Sequence, residues 1–194
     1  MPTPTEEPIA YLFRLEQFGI KLGLNTMRLL VDALDAPDRN YQSILVAGTN
    51  GKGSVAAMIE RGLRTDGYRT GLFTSPHLVK LSERFVVNGL PVQTSTLASE
   101  ARQLRDTIDR LQRSGKLNHQ PTFFEATTAL TLALFRQQHV DVAILEVGMR
   151  NAKIEKQRLD DLLLTHDKLD RPYLKEEELV LRHLHDRVAA QLQH

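Results

Sequence analysis

Residues 44–54, Ile44-Leu45-Val46-Ala47-Gly48-Thr49-Asn50-Gly51-Lys52-Gly53-Ser54, constrain this chain more than any other stretch. A short apolar run feeds a glycine-rich turn that carries one lysine and then a hydroxyl. Residues 55–65 follow with helical apolar spacing at Val55, Met58, Ile59, Gly62 and Leu63. Strand, glycine loop and helix in that order cradle polyphosphate. The glycines let backbone N–H groups approach phosphate oxygens, the helix N-terminus adds partial positive charge, and the lysine neutralises β/γ charge. An ordinary Gly/Asn/Ser turn with a solvated lysine would need no such context. Gly48, Thr49, Asn50, Gly51, Lys52, Gly53 and Ser54 are therefore assigned to a bound polyphosphate, which the resemblance given below implies is that of ATP. The loop departs from the common Gly-x4-Gly-Lys-Ser/Thr form, because Gly53 stands next to the lysine and displaces the hydroxyl to Ser54.

Helical and strand patterns alternate along the chain. A Pro-rich start gives way to a helical pattern at Ile9, Leu12, Phe13, Leu15 and Phe18, punctuated by Gly19 and Gly23, and 26–34 reads as a second helix ended by Pro37. The first strand, 43–47, is apolar throughout, as strands buried on both faces are. Gly67 stops the loop's helix near Asp66. A second strand covers 70–74, and a third, more exposed one, Arg84-Phe85-Val86-Val87, precedes Asn88-Gly89. An amphipathic helix over 94–113 and a more apolar one over 123–138 lead to the strongest strand pattern, 141–147. The expected fold is α/β, a P-loop-type, mostly parallel sheet with helices on both faces and ligand at the carboxyl ends of the strands. Residues 48–54, 74–77 and 146–148 all fall at such ends. An acid that closes an apolar strand, Glu146, fits a Walker-B-like role with Mg²⁺ opposite the loop hydroxyl.

The loop Gly-Thr-Asn-Gly-Lys-Gly-Ser resembles the Mur-ligase superfamily and, within it, the folylpolyglutamate synthase/dihydrofolate synthase family. Three more segments carry the same resemblance in order: Thr74-Ser75-Pro76-His77-Leu78, Pro121-Thr122-Phe123-Phe124-Glu125, and Leu145-Glu146-Val147-Gly148. The lead-in 18–24 extends it towards the N-terminus. The resemblance implies a two-step ligase. ATP phosphorylates a carboxylate of dihydropteroate or a folate, and the amine of glutamate attacks the acyl phosphate. It further implies that Ser54, Ser75 and Glu146 bind Mg²⁺, and that His77 and Thr122, Phe123, Phe124 and Glu125 line the pterin/folate site. Hard oxygen ligands suit Mg²⁺, and phosphoryl transfer needs positioning and charge neutralisation more than a protein nucleophile. No catalytic residue in the strict sense is assigned.

After Gly148 the family pattern would continue Gly-Gly-Arg, but the chain reads Met149-Arg150-Asn151-Ala152-Lys153. All 11 glycines lie at or before Gly148. The reading divides the chain into an incomplete ATP-binding domain, 1–148, and a Leu- and charge-rich tail, 149–194, that reads as two helices with a turn near Asp170-Arg171-Pro172. Nothing there matches the family's later metal-binding histidine, its modified lysine or its C-terminal domain. His183 and His185 stand two apart, which on a helix points them away from each other. A sheet cut off after 141–147 would leave an open edge. The Leu-bearing faces of 152–165 and 174–192 are expected to cover it or to pair two chains as a homodimer.

Composition excludes other classes. The net charge of +1 gives no reason to invoke nucleic acid or an anionic membrane. The absence of cysteine rules out thiol chemistry. The start, Pro2-Thr3-Pro4-Thr5-Glu6-Glu7-Pro8, has neither the basic residues nor the apolar stretch of a signal peptide, so a cytoplasmic location is expected. Two other readings compete: a non-catalytic nucleotide-binding module whose tail mediates association, and a different P-loop enzyme such as a small-molecule kinase. The Gly-Lys-Gly-Ser variant and the Thr-Ser-Pro-His segment argue against the latter.

Overall fold

Five consecutive buried residues, Val142–Glu146, form an interior strand of a five-stranded sheet. The structure, a computed structural model, describes residues 6–18, 25–48 and 50–146. In chain order the main elements are α1 (Glu6–Arg14), α2 (Asn25–Ala33), β1 (Gln42–Val46), α3 (Lys52–Thr65), β2 (Thr70–Phe73), β3 (Phe85–Val87), β4 (Leu90–Pro91), α4 (Thr94–Arg113), α5 (Phe123–Gln137) and β5 (Val142–Glu146). Short 3₁₀ turns over Leu15–Phe18, Pro37–Asn40 and Leu81–Arg84 join them. The sheet order is β1-β5-β2-β3-β4. β5 runs parallel to both neighbours, with Gln42 opposite Val142 on one side and Thr70 opposite Val142 on the other. β2–β3 and β3–β4 are antiparallel. Asn88 and Gly89 close the β3–β4 hairpin with positive φ at both positions, the backbone that an Asn-Gly pair adopts most readily.

Side chains alternate across the sheet and divide the core in two. On one face Leu45, Phe73, Phe85, Val87, Ala143 and Leu145 join the large cluster built with α1, α2, α4 and α5. Helix α5 is the keystone of this side. It is apolar all round, and every residue from Glu125 to Phe135 is buried, as befits a helix enclosed by others. On the other face Val46, Leu72 and Ile144 meet Ala56 of α3, with Ile44, Ile59, Leu63 and Val86 around them. Among the described residues α3 is the one long helix on that side.

Several expectations meet corrections here. β1 is an edge of the described sheet and is only partly buried, so its apolar run does not reflect burial on both faces; that holds for β2 and β5. The third strand is not the exposed one: Phe85 is fully buried because it faces the large core. Of the apolar positions in α3, Ile59 and Leu63 pack, whereas Val55 and Met58 are 41% and 62% exposed. The last strand is not an open edge either. β5 lies between β1 and β2, and the edge strands are β1 and β4. The residues on which the tail expectation and the Gly19–Gly23 punctuation fall lie outside those described.

Gly71 sits where β2 passes under α5, and a Cβ there would lie 2.8 Å from the ring of Phe135, itself fully buried. Gly71→Ala is expected to destabilise the fold by about 2 kcal/mol through overpacking, read as a lower urea midpoint. Adding Phe135→Leu should recover part of the loss, which a general defect of the strand would not allow.

Candidate nucleotide and acceptor site

The glycine loop and the Thr-Ser-Pro-His segment meet the tip of β5 at the carboxyl ends of β1, β5 and β2. The strand order places Glu146, the last residue of β5, between the glycine loop that follows β1 and the Thr-Ser-Pro-His segment that follows β2. The residue is 8% exposed. Oε2 accepts a hydrogen bond from the Ser75 backbone N–H at 3.1 Å. A Cβ on Gly53 would lie 3.6 Å from the same oxygen, so the first turn of α3 passes directly against the carboxylate. The unusual Gly53 therefore leaves the turn without a side chain where it meets Glu146. Gly51 precedes the helix in the left-handed conformation, φ 76°, and the N-terminus of α3 carries no side-chain cap. Lys52 opens the helix, with its stem 3.7 Å from where a Cβ on Gly48 would be. Asn50 and Ser54 are exposed, and Thr49 lies outside the described residues.

The donor set suits a hard divalent cation. Glu146 offers one carboxylate, and hydroxyls stand at Ser75 and in the first turn of α3 at Ser54. Magnesium takes one or two carboxylates and completes its shell with phosphate oxygens and water. Among the described residues no group of three His, Asp or Glu gathers to form an all-protein metal cage.

The second half of the expected site divides in two. Thr122 and Glu125 cap α5: the Glu125 N–H donates to Thr122 Oγ1 at 3.2 Å, while Glu125 Oε2 accepts from the Thr122 N–H at 2.8 Å and from its hydroxyl at 2.9 Å. Both residues are buried and satisfied locally. The Thr-x-x-Glu spacing ahead of an apolar run is the sequence signature of this reciprocal cap, and it was there to be read. Phe123 and Phe124, half-buried, are the members of the stretch with surface to offer. Phe124 borders a cavity shared with Phe73, Thr128, Leu145 and Glu146. The Thr128 hydroxyl lining it is buried and has no hydrogen-bond partner among the described residues.

His77 is engaged as well, since its Nδ1 accepts from Arg84 Nε at 2.8 Å. Phe13 stands in the first helical pattern and Arg84 at the start of the third strand pattern, but neither pattern implies a contact with His77 or with Phe123. The loop beyond His77 is fixed by Glu83, whose carboxylate accepts from the N–H groups of Leu78, Val79 and Lys80. Those backbone bonds, with the one from Lys80 foremost, hold its carboxyl below the usual range.

No model of a protein family matches the chain. Individual relatives do. The dihydrofolate synthase/folylpolyglutamate synthase of Bacillus subtilis is 37% identical over 134 residues, covering 69% of this chain and 31% of its own length. Mycobacterium tuberculosis folylpolyglutamate synthase complexed with ADP superposes with a TM-score of 0.66 at 33% identity, over 76% of this chain and 34% of that one. Over this matched portion the chain belongs to the folylpolyglutamate/dihydrofolate synthase family. An FPGS–AMPPCP–folate complex gives a TM-score of 0.66 at 34% identity, over 74% of this chain and 35% of that one. The chain thus spans about a third of the length of these relatives.

Thr122→Ala removes the cap and strands the buried Glu125 carboxylate. A loss of about 2 kcal/mol in stability is expected, with Thr122→Ser close to the original in a thermal melt. If Thr122→Ala leaves the melting temperature unchanged, the residue is not the anchor of α5.

Proposed function

We propose that this chain is the nucleotide- and acceptor-binding part of an ATP-dependent ligase that joins glutamate to a folate or to dihydropteroate through an acyl phosphate. The meeting of Glu146, Gly53 and Ser75 at the ends of three parallel strands carries the reading. The relatives crystallised with ADP, or with AMPPCP and folate, support it. In this reading the backbone of 48–54 cradles the phosphates, with Lys52 neutralising charge at the β/γ end. Ser54, Ser75 and Glu146 would hold Mg²⁺, which supplies charge neutralisation for phosphoryl transfer. Phe123 and Phe124 present ring surface to the acceptor, and His77 stands beside them. Thr122 and Glu125 act by fixing the turn that presents the two rings.

A second reading keeps the nucleotide site and drops the catalysis. It draws on the extent of the match, which covers about a third of the relatives' length. In that reading the chain is a nucleotide-binding fragment, and residues 149–194 associate with a second copy. Among the described residues no helix is long and apolar enough to cross a membrane, and the cytoplasm is the proposed location.

For the 194-residue chain by itself, calorimetry with ATP and Mg²⁺ is expected to give weak, magnesium-dependent binding, abolished by Lys52→Ala. Sub-micromolar affinity, or binding unchanged in the variant, would contradict the assignment of the loop. The same protein is expected to release no ADP in response to dihydropteroate and glutamate, because an acyl phosphate needs a positioned amine and a site closed against water. Turnover by the purified chain would remove the second reading.

A further inference from the structure

The chain contains two Asn-Gly dipeptides, and the fold treats them in opposite ways. Such a pair is chemically labile, because glycine puts no side chain in the way when its own amide nitrogen attacks the asparagine side chain. Asn88-Gly89, which closes the β3–β4 hairpin, is pinned. Thr70 donates its N–H to Asn88 Oδ1 at 3.1 Å, and the Asn88 N–H donates back to the Thr70 carbonyl at 2.9 Å. Gly89 is covered as well, since a Cβ there would lie 2.7 Å from the Arg64 guanidinium.

Asn50-Gly51, in the glycine loop, has none of this. Asn50 is exposed, and its side chain hydrogen-bonds to no other described residue. Gly51 stands in the left-handed conformation, φ 76°, as the N-cap of α3, and a Cβ on it would meet nothing within 4 Å. Its N–H has no backbone acceptor among the described residues. Neither the attacking nitrogen nor the amide it attacks has to break a bond first.

We infer that Asn50 is a site of spontaneous deamidation, and that the reaction switches off the glycine loop. The Gly51 nitrogen bonds to Asn50 Cγ and passes its proton to the leaving nitrogen, which departs as ammonia when the Cγ–Nδ2 bond breaks. Water then opens the cyclic imide to aspartate or isoaspartate. No oxidant and no second enzyme enters the balance. The new carboxylate stands directly ahead of the N-cap of α3, where the helix end attracts an anion, and there it competes with polyphosphate. The isoaspartyl form also lengthens the backbone by a methylene. A bound polyphosphate engages the same N–H groups and so protects the dipeptide. That consequence rests on the nucleotide reading above; the site of reaction does not.

The test is incubation of the full chain in mildly alkaline buffer, with and without ATP and Mg²⁺, followed by peptide mass spectrometry and by calorimetry with ATP on the same samples. Residue 50 is expected to convert at least about tenfold faster than residue 88, because the bonds that hold Asn88 must open first. ATP with Mg²⁺ should slow conversion at residue 50 and leave that at residue 88 unchanged. ATP affinity should fall in step with conversion at residue 50, and Asn50→Asp should show the loss before any incubation, with its melting temperature unchanged. If residue 88 converts as fast as residue 50, or residue 50 stays intact, the inference is overturned and the ligase reading stands. If residue 50 converts and ATP affinity holds, the switch is overturned. If the fresh chain binds no ATP, the ligase reading falls, while faster conversion at residue 50 still upholds the site.

Discussion

The insertion of β5 between β1 and β2 is the constraint on which the rest depends. The first two parallel strands do not touch; each hydrogen-bonds to β5. A strand in that place ends between two loops, so a single carboxylate at its tip meets both. Glu146 does so with one oxygen, bonded to the Ser75 N–H and packed against the turn at Gly53. Moved to an edge, the same residue could meet only one of them. The nearly complete burial of β5 holds that tip in place, since its neighbours on both faces are packed side chains.

The two faces of the sheet serve different ends. The face under α5 is deep and carries most of the core, and its rigidity presents Phe123 and Phe124 through a cap that leaves Thr122 and Glu125 satisfied. The face under α3 is shallow. α3 is held chiefly by Ala56 and by the buried Glu60, whose carboxylate accepts from the Thr70 hydroxyl at 2.6 Å and from Arg64 Nε at 2.9 Å. That polar anchor sits towards the carboxyl end of the helix, away from the glycine loop. The loop end is thus left to the turn at Gly51 and the approach of Gly53 to Glu146.

Much of this was legible in the residues. The helix over 94–113 has the bounds its amphipathic spacing implied, and the glycine loop, the Thr-Ser-Pro-His segment and Glu146 stand at strand ends as the alternation put them. Strand order was not legible, because an apolar run such as 43–47 reads alike at an edge and in an interior. The exposure of Val55 and Met58 was hidden for the same reason: periodicity names a stripe but not how much of it finds a partner. The Thr122–Glu125 cap was legible too, in the Thr-x-x-Glu spacing ahead of an apolar run. Arg84 could not be found from sequence, since its meaning comes from Phe123 and His77, which reach it from other elements.

Sheet order also dictates when the molecule can take shape. Val46 pairs with Glu146, one hundred positions further along the chain. Until β5 has been made, β1 has no strand beside it among the described residues, and the glycine loop has no carboxylate to pack against. Contacts of such sequence separation close slowly, because the entropy of the intervening loop is lost before the pairing repays it. On a ribosome, α3 and the β2–β3–β4 meander can form early, while the glycine loop waits for β5. The corner where Glu146 meets Gly53 and Ser75 is therefore the final part of the described fold to become ordered.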